Sequence, residues 1–160
     1  MSALSGLKHI LEVLRMNILE SASIVCAAIP VNRVWLYCRV AKHDPVEIQF
    51  QKHRLRAVAH RNGWMLAGAS SDELPGVSFS RPGLSELTAA IENNEVDMVM
   101  VCNLSRLFRR VDEALTYLKY LRSHGVSIYS LAEGLIDLDE IIAVFEALLA
   151  LSNPDDGTLS

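Results

Sequence analysis

The sequence predicts an α/β fold in three layers: a mostly parallel central sheet of four to five strands flanked by helices, with an extra helix at the N-terminus. Three observations carry that expectation. After the first helix, strand-like and helix-like apolar patterns alternate four times in succession. One run, Val96 to Cys102, is almost wholly apolar, which suits a parallel strand buried on both faces. A chain of 160 residues that is 51% hydrophobic can also bury a core without disulfide or metal support.

Leu4, Leu7, Leu11, Leu14 and Ile18 follow a three-and-four spacing, so the first twenty residues read as an amphipathic helix with one leucine stripe. Two heptads suit packing on its own domain or on a second copy better than a dedicated coiled coil. Pro30 and Asn32 mark a break, and Val34 to Val40 is a strand rich in aromatic and β-branched residues. Ile48, Gln51, Leu55, Val58 and Ala59 give the helical spacing of Val46 to Asn62, which Asn62-Gly63 stops. Trp64 to Ala69 is a second strand, and Ser70 to Ser80, with Pro75-Gly76 and its serines, reads as a loop. Pro82 opens a helix that runs to Asn93-Asn94, and the strand Val96 to Cys102 follows. Asp112 to His124 is helical up to Gly125, Val126 to Ala132 is a strand, and Ile136 to Leu151 is the last helix. The expected organisation is a helical extension over 1–32, one domain over 33–152 and a flexible tail over 153–160.

Composition narrows the function classes. Cys26, Cys38 and Cys102 are odd in number and sit in apolar runs, as buried thiols of a reducing, cytoplasmic setting do. No metal site or cofactor is expected from them. The apolar run around Ile24 to Pro30 falls far short of the roughly 20 residues that span a bilayer, so no membrane partner is expected. A formal charge of −4 argues against binding DNA by bulk electrostatics, yet the distribution is uneven. Basic residues outnumber acidic ones from Arg33 to Arg61, whereas seven acidic residues and no Lys or Arg lie from Glu133 to the end.

In such a sheet the ligand lies at the carboxyl ends of the strands. That places Arg39 to Asp44, Ser70 to Arg81 and Asn103 to Arg110 around one site, and each segment carries arginine. Strand alternation points Tyr37, Arg39 and Ala41 one way and Cys38 and Val40 the other. Arg106 and Arg109 are three apart and share a side of their turn, with Arg110 beside them. Several guanidinium groups with few carboxylates suit phosphate oxygens, because the planar fork pairs bidentately and keeps its charge. The competing explanation is surface pairing of these arginines with Asp72, Asp112 and Glu113.

Five segments in order resemble one family. "YCRVA", Gln51 with Leu55, Ala59 and Gly63 behind it, "SDELPGVSFSRPGLSEL", "EVDMVMVCNLSRLFRR" and "GVSIYSLAEG" look like the N-terminal catalytic domain of the serine recombinases, the resolvases and invertases. The resemblance spans about Val34 to Leu149. It implies the resolvase-like sheet and a DNA strand-exchange chemistry in which a serine attacks a phosphodiester while arginines stabilise the phosphoryl charge. It makes Arg39, Arg81, Arg106 and Arg109 the phosphate-holding set, with Gln51 the helix glutamine; Arg110, beside Arg109 in the chain, is a further DNA-contact candidate on position alone.

The departures fall at the chemistry. The nucleophile position is Ala41, the aspartate of the family's Leu-Asp-Arg is Ser105, and the serine of its Ser-Gly pair is Pro75. The resemblance therefore implies a recombinase domain inactive for want of its nucleophile, with no cofactor. Its implied partners are DNA, weakly when alone, and a second copy or a full-length recombinase. Two rivals stand beside this: cleavage by a displaced serine such as Ser71, Ser78 or Ser80, and a regulatory module that binds a phosphate or nucleotide. The terminal helix "IIAVFEALLAL" matches the start of the family's dimerisation helix, and no DNA-reading domain is expected beyond it.

Overall fold

The computed structural model describes residues 8–12, 33–74, 81–108 and 110–152. A helical segment over 8–12 (α1) lays Ile10 and Leu11 half-buried on the main core. The rest of the expected leucine helix, Cys26, the loop 75–80, Arg109 and the tail lie outside the described residues. The order then runs β1 (Arg33–Val40), α2 (Pro45–Arg61), β2 (Met65–Glu73), α3 (Pro82–Glu92), β3 (Met98–Val101), a 3-10 turn (Leu104–Arg106), α4 (Val111–Ser123), β4 (Ser127–Ser130), β5 (Gly134–Ile136) and α5 (Leu138–Ser152).

The five strands form one sheet in the order β2-β1-β3-β4-β5, with every pairing parallel except that of β5 on β4. Because β1 connects to β2 on one side and lies against β3 on the other, the chain reverses its direction of travel at the β1–β3 boundary, where crevices form in such sheets. Side-chain alternation splits the core in two. Val34, Leu36, Cys38 and Val40 meet Ile48, Leu55 and Ala59 of α2, while Tyr37, Val99 and Val101 meet α3, α4 and α5 on the opposite face.

Local chemistry sets the element ends. Asp44 caps α2 by accepting from Glu47 N–H, Pro45 needs no amide partner in the first turn, and Gly63 takes φ +68° just past the end. In α5 the start moves from the expected Ile136 to Leu138, because Asp137 accepts from the amides of Asp139 and Glu140 and caps the helix there. Ile136, so released, joins Gly134 and Leu135 in the short antiparallel strand β5.

β2 also corrects the sequence reading, since it continues through Glu73 where a loop was expected from Ser70. Its polar side chains are satisfied inward: Ser70 Oγ accepts from Trp35 Nε1 and donates to the Gly83 carbonyl. A register shift after Val34 brings Trp35 opposite Gly68, and the indole lies so close that a Cβ at position 68 would overlap the ring.

Candidate functional site

The carboxyl ends of β1, β2 and β3 carry the cluster. Arg39, the next-to-last residue of β1, is buried, and its main chain is held from the α2 side. Gln51 Oε1 accepts from the Arg39 amide at 3.2 Å, and Gln51 Nε2 donates to the Arg39 carbonyl at 3.3 Å and to Glu47 Oε1 at 3.0 Å. Gln51 is itself 2% exposed, so among the described residues its amide works on the backbone of Arg39. The Arg39 guanidinium reaches the turn after β3, donating to the carbonyls of Arg106 (3.0 Å) and Ser105 (3.1 Å). Arg106 answers by donating Nη1 to the Arg39 carbonyl at 3.2 Å. Arg39 and Arg106 are thus interlocked through each other's backbones.

Arg81 approaches the same turn from the head of α3, donating Nη2 to the Leu107 carbonyl and to Tyr37 Oη, both at 2.7 Å. Its guanidinium lies over the Tyr37 ring, 5.6 Å from the centroid. The carboxylate of Asp72 organises this corner. It accepts from Tyr37 Oη (2.6 Å), the Gly83 amide (2.7 Å) and the Leu84 amide (3.1 Å), with Arg81 Nε at 3.9 Å, within ion-pair but beyond hydrogen-bond reach. A buried carboxylate at a helix N-terminus is stabilised both by those amides and by the positive end of the helix. Burial and the bond to Asp72 push the Tyr37 hydroxyl's pKa upward, so it stays protonated and donates. Gly83 makes the approach possible: a Cβ there would sit 2.5 Å from the Ser71 carbonyl oxygen.

Three of the expected arginines, Arg39, Arg81 and Arg106, therefore converge on the turn at Leu104–Leu107. Arg106 Nε is buried with no hydrogen-bond partner among the described residues, an unused donor beside the carboxyl end of β1. Arg110 does not join them, because its guanidinium is paired with Asp112 at 2.7 Å and exposed, as surface pairing predicts. Arg109 lies outside the described residues.

Ala41 is exposed in the bend directly after β1, two residues past Arg39. The loop it begins is tied down by Glu73, which accepts from the Asp44 amide and pairs with His43 Nδ1. Ser105 is exposed and bonds Asn103 Oδ1. Cys38 faces the α2 side, and burial pushes its thiol up to about 12. Burial also raises the Cys102 thiol, against a downward pull from Arg54 and Arg106. Neither thiol is poised to react.

Sequence reasoning missed Asp72, which it placed among surface partners. The signal was present as an acidic residue between two short polar side chains and a Gly-containing helix start, but its partners are 11 to 35 residues away in the chain. No group of His, Cys, Asp or Glu among the described residues forms a metal-binding cluster. No helix among them is long and apolar enough to cross a membrane.

Comparison with known proteins gives one consistent result. Residues 34–152 match the family described as "Resolvase, N terminal domain". Among solved structures, the N-terminal catalytic domain of TP901-1 integrase is 27% identical, with a TM-score of 0.67 over 76% of this chain and 97% of that one. A resolvase family site-specific recombinase from Streptococcus pneumoniae is 25% identical, with a TM-score of 0.65 over 76% of this chain and 88% of that one. The C-terminal catalytic domain of ISC1926 TnpA, an IS607-like serine recombinase, is 25% identical, with a TM-score of 0.56 over 74% and 79%.

Proposed function

The chain belongs to the family of resolvase N-terminal domains, and from that premise we propose that it holds DNA phosphates in an arginine site without forming the covalent protein–DNA link of a serine recombinase. The carrying observation is Ala41: it follows the anchored Arg39 by two residues, and a methyl group offers no atom to attack phosphorus. Loss of the nucleophile from a covalent mechanism removes nearly all of the acceleration. The arginines fit a different remaining role. Arg39, Arg81 and Arg106 present fixed cations at the reversal point of the sheet, where a phosphate would gain charge-assisted hydrogen bonds.

Such a domain acts through company. The reading assigns it to an assembly with DNA and with an active recombinase, which it would shape or restrain, as a remnant or regulator associated with a mobile element. A phosphate- or nucleotide-binding role for the isolated domain is the alternative, favoured by the buried donor on Arg106 Nε.

The test is to restore the chemistry. Ala41→Ser combined with Ser105→Asp is expected to produce a covalent protein–DNA band on a supercoiled or nicked substrate carrying a recombinase site, in the presence of a full-length recombinase. The unmodified chain is expected to give none. A covalent adduct from the unmodified chain overturns the proposal. If phosphate-induced thermal shifts vanish in Arg106→Ala while no DNA engagement is found, the small-ligand alternative stands in its place.

A further inference from the structure

We infer that the outer face of α2 is a binding track for a phosphodiester backbone, single-stranded nucleic acid in particular, that leads into the arginine cluster. The inference rests on the reading that the chain engages DNA phosphates, and it assigns the surface that does so outside the site itself.

From Ile48 to Ser71 there is no acidic residue, while Lys52, Arg54, Arg56 and Arg61 all fall in that stretch with His53 and His60. The segregation is strong for an acidic chain. Residues 41–63 hold five Lys or Arg against two carboxylates, and the remainder holds ten against seventeen. Helix geometry decides where those cations point. Ile48, Gln51, Leu55 and Ala59 are buried against the sheet, so Phe50, His53, Arg54, Arg56, His60 and Arg61 are exposed. None of Lys52, Arg54, Arg56 or Arg61 pairs with a carboxylate among the described residues, unlike the cations of α4, where Lys119 meets Glu146 and Arg122 meets Asp139.

Phe50, Arg54 and Arg61 lie four and seven residues apart, which puts them on one stripe of the helix. Phe50 is 56% exposed, and Arg54 lies over its ring at 5.7 Å from the centroid. An exposed ring beside one unpaired arginine, with a second further along the same stripe, is the pattern by which single strands are held, the bases stacking on the ring while cations follow the backbone. The helix that carries the stripe is also joined to the site through its buried face. Gln51 of the same helix, one residue after Phe50, fixes the main chain of Arg39 at the site. The competing occupant is the acidic C-terminal helix of a second copy.

Fluorescence anisotropy with a labelled single-stranded 20-mer and a duplex of the same sequence tests the assignment on the full chain. Arg54→Glu with Arg61→Glu is expected to weaken single-strand binding at least tenfold. The slope of log affinity against log salt should also become shallower by about 1.4, roughly 0.7 for each lost phosphate contact. Phe50→Ala is expected to weaken the single strand and leave the duplex unchanged. The matched control, Lys119→Glu with Arg122→Glu, should leave both unaffected. Unaltered binding by the α2 double variant overturns the inference, as does an equal loss in the control. So does a loss of self-association in place of oligonucleotide binding. Absence of any binding by the unmodified chain would remove the underlying reading as well, whereas intact binding by the α2 variant removes the track alone.

Discussion

Two carboxylates beside helix starts show how differently charge works in two regions of this molecule. Asp72, at the head of α3, has a side chain that is 0% exposed and accepts from two backbone amides and a tyrosine, with Arg81 alongside. Asp139, at the start of α5, is 82% exposed and meets Arg122 across the α4–α5 seam at 2.9 Å. Both would be counted as ion pairs. Only the first is sealed from water, where an unpaired partner has no solvent to turn to, so Asp72 fixes the position of an arginine while Asp139 decorates a seam already closed by Ile141, Ile142 and Phe145.

Substitutions at and around the two carboxylates should separate a sealed charge from an exposed one. Asp72→Ala is expected to cost about 3–5 kcal/mol in urea denaturation, since it strands buried donors and the Arg81 charge together. Asp72→Asn keeps an acceptor and should retain part of that stability; equal loss from both would point to the negative charge itself. Alkaline titration should come next. The folded pKa of Cys38 lies near 12, above its ordinary value, so its contribution is complete below about pH 9 and declines as pH rises toward 12. By pH 10.5 the loss should reach about 2 kcal/mol, and Cys38→Val should remove that part while leaving the parallel contribution of Tyr37, whose hydroxyl is shifted the same way. Gln51→Leu should cost about 1–2 kcal/mol, because the Arg39 amide loses its acceptor while the Arg39 carbonyl keeps Arg106. Arg122→Ala should move the urea midpoint hardly beyond measurement error, and less still at high salt.

The same contrast explains what could be read from the sequence. Alternating periods located four strands and the helices between them, because burial on each sheet face is written directly into residue spacing. Arg39 was placed correctly on its strand face for that reason. The polar end of β2 was not legible: Ser70, Ser71 and Asp72 look like loop residues until Trp35, Tyr37 and the head of α3 supply their partners. β5 was missed because three residues carry no measurable period, and its strand character comes from pairing with β4. In the site, the convergence of Arg39, Arg81 and Arg106 followed from topology, whereas Gln51 braces the main chain of Arg39 through side-chain bonds across 12 residues, which no apolar spacing encodes. Arg110 illustrates the opposite case, an arginine of the right type in the right segment whose nearest carboxylate claims it.

The seating of Trp35 on Gly68 gives the protein two separate optical reporters. Trp35, bonded to Ser70, watches the arrival of the edge strand β2 on the α3 side of the sheet, while Trp64 stands edge-on to Tyr129 of β4 on the other. With Trp35→Phe and Trp64→Phe variants, emission in a stopped-flow experiment would time the docking of each flank on its own. Parallel pairing is slow because it must close long loops, so the two signals would show which flank of the sheet forms first.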